Sequence, residues 1–288
     1  MKQAFLITAY KDFEFLLDLA TRLSKIGYVF IHIDKKSALH TSEHLEKLNA
    51  LERCDAIATY EIVWGGYHHV QAMFDLLEKA VKNPDISYIH CITGEDYPVI
   101  SLENMKLKYD DCKDIFLDYV EPEDLNEVVK KRFYYYNLFQ DWNVKNSIVW
   151  QIQNFTVLLQ KVMGIKRIGI GEFTHIYKGL FYISLPKDAA EYILDYCENH
   201  DEFLKDLKRC QIPEEFLFQT LFMNSEFSER IIKKELRFMN WEKGTGGSPA
   251  YLDEEDFDSI IQSGCTFARK FHPIYSKQLL KKIKEITE

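Results

Sequence analysis

The sequence predicts an α/β protein with a doubly wound, mainly parallel sheet flanked by helices in a single domain. Within the first hundred residues or so, apolar runs of strand length alternate with amphipathic helical segments. The first strand, helix and second strand together take only about thirty residues, which is typical of a βαβ unit. No linker, repeat or low-complexity tract divides the 288 residues, and a hydrophobic content of 47% allows a packed core.

The individual elements follow from the hydrophobic pattern. AFLITA and YVFIHI are continuous apolar runs, as in parallel strands buried on both faces, and Gly27 ends the helix between them. In chain order the pattern predicts strands at 4–9, 28–33, 56–60, 87–92, 179–185 and 237–241, and helices at 13–25, 42–52, 67–82, 101–109, 186–199, 213–225 and 253–263. The region 120–175, with a long apolar stretch at 146–163, is predicted to be mostly helix with loops and to form a lid or an acceptor-binding insertion.

Composition narrows the function and the location. The net charge of −9 disfavours a nucleic-acid partner. No two of the six cysteines form a Cys-x-x-Cys pair, so we expect free thiols in a reducing compartment and no structural zinc site. Because the N-terminal MKQAFLITAY lacks a cleavage site and no stretch has the roughly 18 apolar residues of a membrane span, we expect a soluble, cytoplasmic protein. The lysines and aromatic residues at 130–139 indicate either solvated charge or peripheral contact with the inner face of an anionic membrane.

Carboxylates follow two of the predicted strands. Asp34 ends the second strand, and Glu95 and Asp96 follow the strand SYIHCI. Ligands of open α/β sheets bind at the carboxyl ends of the strands, so these side chains are candidates for binding a ribose, a sugar hydroxyl or a metal. A helix cap or a turn explains the same residues without a ligand.

Two further segments carry candidate binding and catalytic groups. Trp64 precedes two glycines, which suggests a ring exposed for stacking or a turn with a buried Trp. Glu215 lies in the segment IPEEFL, where a carboxylate can act as a general base or simply favour a helix start.

A basic pair lies near the C-terminus, between two phenylalanines. Arg269 and Lys270 suit the stabilisation of a leaving diphosphate, although a solvated pair at a helix end is the alternative. The one literal Asp-x-Asp sequence, Asp256 to Asp258, lies at an acidic helix start, where capping explains it better than metal binding. We therefore expect no metal and no other cofactor.

Together the motifs resemble the core-2/I-branching β-1,6-N-acetylglucosaminyltransferase family, which also includes the peptide O-xylosyltransferases. The similarity extends over nearly the whole chain, through the segments AYKDFEFLLDLATRL, YVFIHIDKKS, VWGGYHHVQAMFDLLEKA, CITGEDYPVIS, IPEEFLFQTLFMNS, LRFMNW and SGCTFARKF.

This resemblance implies a GT-A-like fold and an inverting, metal-independent transferase that uses a UDP-sugar. It implies that Glu215 is the catalytic base and that Lys270 contacts the diphosphate. By the same resemblance Asp34 lies by the nucleotide, Trp64 near the uracil and Trp241 near the acceptor sugar.

The chain also departs from the family pattern. Gly247 stands where some animal members have a second diphosphate-binding Arg, and Arg269 or Lys243 is the candidate substitute. The segment KGLFY replaces a Gly-Ser-x-Trp-like strand, which leaves the acceptor and the donor sugar open. The animal enzymes are membrane-anchored and disulfide-rich, whereas this chain resembles a bacterial catalytic domain.

The sequence therefore predicts one catalytic domain over 1–288, with a nucleotide-binding half at about 1–118 and an acceptor-binding, catalytic half at about 119–288. We expect Glu95 and Asp96 to contact an acceptor, which would be a glycan or a lipid-linked glycan. The expected reaction is transfer of a sugar, N-acetylglucosamine first, from a UDP-sugar to a hydroxyl with formation of a β-linkage. The alternatives are a xylosyl- or glucosyltransferase of the same fold, or a non-catalytic protein that binds a UDP-sugar or carbohydrate.

Overall fold

A computed structural model describes residues 2–142 and 146–287 and has the predicted mixed α/β architecture. The strands are β1 (Gln3–Ala9), β2 (Gly27–Ile33), β3 (Cys54–Ile57), β4 (Tyr88–Thr93), β5 (Tyr97–Pro98), β6 (Ile115–Leu117), β7 (Ser184–Pro186), β8 (Ile231–Lys233), β9 (Arg237–Met239) and β10 (Phe267–Arg269). The helices are α1 (Phe13–Leu23), α2 (Ser42–Asn49), α3 (His68–Lys82), α4 (Leu102–Tyr109), α5 (Glu127–Tyr134), α6 (Ser147–Val162), α7 (Lys187–Asn199), α8 (Asp201–Lys208), α9 (Leu217–Met223), α10 (Phe257–Ser263) and α11 (Lys277–Thr287). Residues 143–145, inside the region predicted to be mostly helical, lie outside the described residues.

The strands form two sheets. The larger sheet has seven strands in the order β3-β2-β1-β4-β7-β6-β8 and is mainly parallel, with β7 antiparallel to both of its neighbours. Gln3 pairs with Gly27 on one side of β1 and with Tyr88 on the other, so β1 lies at the centre of the parallel part. The smaller sheet has the order β5-β10-β9.

Helices cover both faces of the larger sheet. Successive residues of β1 alternate between the two faces: Leu6 packs in the core beneath α3, α7 and α9, whereas Phe5 and Ile7 pack in the core beneath α1 and α11. Burial on both faces is what the continuous apolar runs predict. At the start of β2 the backbones of β1 and β2 lie so close together that a Cβ on Gly27 would lie 2.5 Å from the Gln3 carbonyl oxygen.

The structure differs from the pattern-based prediction mainly after residue 95. The strand predicted at 179–185 is reduced to β7, and the helix predicted at 213–225 is a 3-10 helix (Pro213–Glu215) followed by α9. In the smaller sheet the pattern predicted β9, within 237–241, but not β5 or β10, and all three strands have only two or three residues. Strands this short have no measurable hydrophobic period, so only their pairing partners define them.

Two expectations from composition concern features of the whole chain. All six cysteines are free thiols. Across the two described ranges, we find no helix with both the length and the apolar character that a membrane crossing requires.

Two histidines lie buried in the larger sheet as neutral imidazoles. On β4, His90 contacts Ser184 Oγ at 2.8 Å and Gln3 Oε1 at 3.3 Å. On β2, Nε2 of His32 accepts hydrogen bonds from the backbone N–H groups of Thr59 and Tyr60. Burial, reinforced by the Arg237 and Lys108 charges, lowers the pKa of His90 to about 3. Burial also lowers the pKa of His32 to about 4, although Asp34 opposes it.

We therefore expect the free energy of unfolding to decrease as the pH falls from 7 to 5, a range above that in which carboxylates normally titrate. Both folded pKa values lie below the unfolded value, so the unfolded chain binds more protons and unfolding becomes easier as the pH drops below about 6.5. Between pH 7 and pH 5 the free energy of unfolding should decrease by roughly 2 kcal/mol for each histidine. Urea unfolding at both pH values measures this decrease. In the variant His90→Gln this decrease should be about half as large. Equal decreases in variant and wild type would contradict a lowered pKa for His90.

Candidate active site

Three of the predicted site residues lie where the parallel strands end. After β1 the chain continues into α1 and β2 on one side, whereas β4 pairs with the other side of β1, so the gap between these connections is the topological switch point of the sheet. Backbone hydrogen bonds join Asp34 to Ala9 and Gly94 to Thr8 at this edge. Ligands of open α/β sheets bind outside such a point. The structure thus brings Asp34, Glu95 and Asp96 to one edge, as their positions after strands predicted.

Two surface cavities lie elsewhere. One, of about 340 Å³, is lined by Phe15, His272 and α11, and the other, of about 650 Å³, lies at the beginnings of β2 and β3. Neither is lined by a predicted site residue. The second lies at the wrong end of the strands for a ligand of this fold, so we place the site by strand topology and side-chain chemistry.

Asp34 organises the loops after β2 and β3. It is buried, and its Oδ1 accepts hydrogen bonds from the backbone N–H groups of Lys36 at 3.2 Å and Ile62 at 3.0 Å. One carboxylate oxygen therefore fixes the loop that leads to Trp64. A contact with a nucleotide stays a prediction.

The turn at Trp64 connects the loops held by Asp34 to the segment that carries Glu215. Gly65 has a φ of +71°, a left-handed conformation that favours glycine. Its carbonyl accepts hydrogen bonds from Gln140 Nε2 at 2.7 Å and from the backbone N–H of Ile212 at 3.2 Å. The Trp64 side chain, 56% exposed, lies on the surface beside this connection, so the structure favours the exposed ring over the buried one.

Glu95 forms an ion pair with a lysine that the sequence did not single out. Lys11 follows β1, and its Nζ lies 2.8 Å from Glu95 Oε1 and 3.5 Å from the hydroxyl of Tyr251. The Tyr10 hydroxyl donates to the other Glu95 oxygen at 3.4 Å. Burial acts to lower the pKa of Lys11, but the hydrogen bond and charge of Glu95 outweigh it and raise this pKa. Glu95 is thus the counter-ion of a site cation here, and its role in acceptor binding stays a prediction.

Arg269 and Lys270 are neighbours with different surroundings. Arg269 is buried, with its guanidinium 4.8 Å from the centre of the Tyr182 ring, and its Nε has no hydrogen-bond partner among the described residues. Lys270 is partly exposed and donates to the carbonyl of Ser248 at 3.4 Å. Burial lowers the pKa of Lys270, while the charge of Glu95 opposes this effect. An anionic ligand beside Lys270 would therefore favour its charged form.

A second polar cluster extends from β1 to the segment before α9. His69, at the start of α3, lies 3.3 Å from Thr8 Oγ1 through Nε2 and 3.6 Å from Glu214 Oε1 through Nδ1. Glu214 is buried, and within the part of the chain that the structure describes its Oε2 has no hydrogen-bond partner. An unpaired buried carboxylate oxygen is costly, so this position favours a bound water or a ligand hydroxyl.

Glu215 points away from this cluster, toward two cations. Arg132 Nη1 donates to Glu215 Oε2 at 2.6 Å, and Lys178 Nζ lies 3.2 Å from the same oxygen. Gly179 donates its N–H to the Glu215 carbonyl, and a Cβ there would lie 2.1 Å from the Asp118 carbonyl oxygen. Since both cations contact Oε2 and the side chain is partly exposed, Oε1 is the oxygen that an incoming hydroxyl could approach.

Asp96, by contrast, is enclosed in a buried ion pair. One oxygen accepts from the N–H and the hydroxyl of Thr93 at 2.6 and 2.7 Å, and the other accepts from Arg237 Nε at 3.0 Å. Arg237 also donates to the Tyr182 and Cys91 carbonyls, and both members of the pair are fully buried. Asp96 therefore links the two sheets. Its predicted contact with an acceptor would require this network to open.

The loop after β9 carries Trp241 and the Asp-x-Asp sequence. Trp241 is 58% exposed and can meet a ligand from solvent. Asp256 takes part in a capping box with Asp253, as its position at a helix start predicted. Lys243 Nζ lies 2.5 Å from Asp253 and 3.5 Å from Asp256. Because these carboxylates already engage Lys243, it is a poor substitute for the arginine missing at Gly247.

Metal independence and the assigned roles stay predictions. Within residues 2–142 and 146–287, the His, Cys, Asp and Glu side chains form no group of three that could hold a metal ion. Sequence reasoning missed four groups of this edge: Lys11, His69, Arg132 and Lys178. Lys11 could have been found from its position immediately after the first strand. The others become visible only through contacts between distant segments.

Comparison with known proteins gives a family match over most of the chain. A family model described as "Core-2/I-Branching enzyme" matches residues 3–261. A curated relative, "Xylosyltransferase sqv-6" of Caenorhabditis briggsae, is 23% identical over 235 residues. The match covers 79% of this chain and 27% of that protein, so the chain spans about a quarter of the relative's length.

Solved structures give weaker likenesses. HddC from Yersinia pseudotuberculosis is 14% identical with a TM-score of 0.29, covering 49% of this chain and 66% of that chain. The apo structure of the bifunctional glycosyltransferase WbbM is 11% identical with a TM-score of 0.37, covering 93% and 45%, respectively. Scores this low do not establish a shared fold.

The buried position of Asp96 predicts a large effect on stability. Asp96→Asn removes one of the two carboxylates that pair with the buried Arg237, while Glu235 stays 2.8 Å from Nη1. The free energy of unfolding should therefore fall by about 1.5–3 kcal/mol, the share of a hydrogen bond between charged groups. Asp188→Asn removes the partner of Arg230 at the surface and should cost less than about 1 kcal/mol. Urea unfolding compares the two. An Asp96 variant as stable as wild type would make Asp96 a ligand-binding residue rather than a structural one.

Proposed function

The chain belongs to the core-2/I-branching enzyme family of glycosyltransferases, and we propose that it transfers a sugar from a UDP-sugar to a hydroxyl of a glycan acceptor with Glu215 as the base. The observation that supports this most directly is the surroundings of Glu215. Its carboxylate is held by Arg132 and Lys178, one oxygen remains open to approach, and the backbone is tied through Ile212 to the turn at Trp64.

In the proposed reaction a single displacement takes place at the anomeric carbon. Glu215 accepts the proton of the acceptor hydroxyl as that oxygen attacks from the face opposite the UDP. The new carbon–oxygen bond forms while the bond to the diphosphate breaks, and its electron pair leaves with UDP. An α-linked donor therefore gives a β-linked product. Holding both sugars in line supplies a large part of the rate.

The departing UDP gains negative charge, which Lys270 would stabilise. Lys11 lies on the same side of the site and is currently paired with Glu95, so a diphosphate would compete with Glu95 for it. Arg269 is buried against Tyr182 and would act at longer range than Lys270. No step of this scheme needs a metal ion.

The donor sugar is proposed as N-acetylglucosamine, with xylose as the second candidate. N-Acetylglucosamine follows from the family resemblance of the motifs. Xylose is favoured by the relative from Caenorhabditis briggsae, which is named a xylosyltransferase. Glucose is a third candidate, and a screen of UDP-sugars for transfer separates the three.

A non-catalytic protein that binds a UDP-sugar or a carbohydrate is the remaining alternative. It would use the same cations and the exposed Trp64 ring but would leave the acceptor hydroxyl unreacted. Binding of UDP without transfer to any of a panel of glycan acceptors would favour it.

Replacing the proposed base should abolish most of the turnover. Glu215→Gln keeps the size of the side chain and a hydrogen-bond acceptor but cannot take a proton, so kcat should fall roughly 10²–10⁴-fold with UDP affinity unchanged. Glu214→Gln is the neighbouring control, because Glu214 lies in the separate cluster with His69. Initial rates of transfer give both values. A large loss in the Glu214 variant with near-normal turnover in the Glu215 variant would move the role to Glu214.

Donor binding should be insensitive to chelation and should depend on Lys270. Calorimetry with UDP and UDP-N-acetylglucosamine should give the same Kd in EDTA and in Mn²⁺. Lys270→Ala should weaken UDP binding by about 10–100-fold, the share of a hydrogen bond to a charged group. Lys281→Ala, an exposed lysine of α11, is the control. Binding that requires Mn²⁺ would reject metal independence, and absence of UDP binding would reject the transferase proposal.

A further inference from the structure

Helix α6 (Ser147–Val162) buries polar side chains and exposes apolar ones, which reverses the usual pattern. The side chains that it buries against the protein are Gln153 and Gln160, seven residues apart on one face. Gln153 exchanges hydrogen bonds with Phe139 N and Asn137 Oδ1, and Gln160 with both backbone groups of Tyr136. A surface helix of a soluble protein normally does the reverse and turns its apolar stripe inward.

The outward side of α6 carries a continuous apolar stripe. Its members recur every three or four residues, as neighbours on one helix face do, and we call them the α6 apolar face: Ile148, Ile152, Phe155, Leu159 and Val162. All are exposed, from 40% for Ile152 to 78% for Val162. Leu158 and Met163 flank this stripe and are also exposed, and Trp150 is exposed on another side of the helix. Trp142 and Ile168, which precede and follow the helix in sequence, are exposed as well. An apolar surface this extensive on a water-soluble chain marks a contact site.

The sequence that forms α6 and its flanks carries charge of a single sign. The chain as a whole has a net charge of −9, yet the sequence contains no acidic residue between Asp141 and Glu172. Among the described residues of that interval, Lys161 and Lys166 are exposed, whereas Arg167 is buried and lies 3.3 Å from Asp206. Lysines and tryptophans beside an exposed apolar stripe are typical of helices that lie in the interface of an anionic bilayer.

We propose that the α6 apolar face docks this protein on the surface of a bilayer that contains anionic lipids. The helix lies in the plane of the interface, since its 16 residues span only about 24 Å and the hydrocarbon core is about 30 Å thick. A second copy of the chain is disfavoured as the occupant, because the described residues 146–171 offer exposed lysines and no acidic residue to pair with them. The apolar surface is also broader than the narrow seam of a helix pair.

This surface is connected to the candidate site through short hydrogen-bonded steps. Gln153 of α6 contacts Asn137, and Asn137 Nδ2 donates to the carbonyl of Arg132, the residue that holds Glu215. Docking would therefore bring the acceptor side of the site close to the bilayer. The docking itself does not depend on transferase activity, so its test and those of the proposed function can fail separately.

The test is cosedimentation of the full chain with vesicles of phosphatidylcholine, with and without phosphatidylglycerol. We expect binding to the anionic vesicles that decreases with added salt, and weak binding to the neutral ones. Phe155→Glu should weaken binding at least about tenfold. The double variant Lys161→Gln, Lys166→Gln should weaken it roughly fivefold for each lysine.

Matched controls change equally exposed residues outside this face. Leu107→Glu on α4 and the double variant Lys47→Gln, Lys82→Gln should bind as wild type does. Circular dichroism confirms that each variant is folded. Absence of binding to anionic vesicles would overturn the proposal, as would equal binding by Phe155→Glu and wild type. A dimer in solution that Phe155→Glu dissociates, without vesicle binding, would assign the face to a second copy.

Discussion

The buried ion pair between Asp96 and Arg237 joins the two sheets, and the arrangement of the candidate site depends on it. Arg237 is the first residue of β9. Its guanidinium donates to the carbonyl of Cys91 in β4 and to the carbonyl of Tyr182, which precedes β7. β10 pairs with β9, with Ala268 opposite Phe238; it ends at Arg269, and Lys270 follows it. Because both charges of the pair lie away from water, every donor and acceptor must be satisfied, and this requirement fixes the position of β9 relative to β4. The positions of Arg269 and Lys270 therefore depend on the buried contact between Asp96 and Arg237.

Glu214 and Glu215 are adjacent in the sequence but have different surroundings in the structure. Glu214 is buried beside His69, while Glu215 is partly exposed between Arg132 and Lys178. The backbone separates them because both lie in a 3-10 helix, whose three residues per turn direct successive side chains to different sides. Two acids next to each other in the sequence can thus have separate tasks, one within the protein interior and one toward solvent.

The parallel half of the fold was predictable from the sequence, whereas much of the site was not. β1, β2 and β4 are apolar runs long enough to be recognised on their own, and the strand ends placed Asp34 and Glu95 correctly at one edge. The pair Arg132–Glu215 joins residues 83 apart in sequence. Such contacts arise from tertiary packing, which no local pattern encodes. The same reason explains why β5 and β10 were missed, as each is defined by its pairing partner alone.

The inverted helix α6 also has a consequence for the colloidal behaviour of the protein. In concentrated solution its apolar stripe favours association between copies, and the net charge of −9 opposes it through mutual repulsion. Salt shortens the range of this repulsion to about 8 Å at physiological ionic strength. Added salt therefore promotes self-association while it weakens attraction to an anionic surface. High salt would therefore both favour aggregation through this helix and weaken the proposed membrane binding. Low ionic strength is the condition that keeps the protein monomeric in solution.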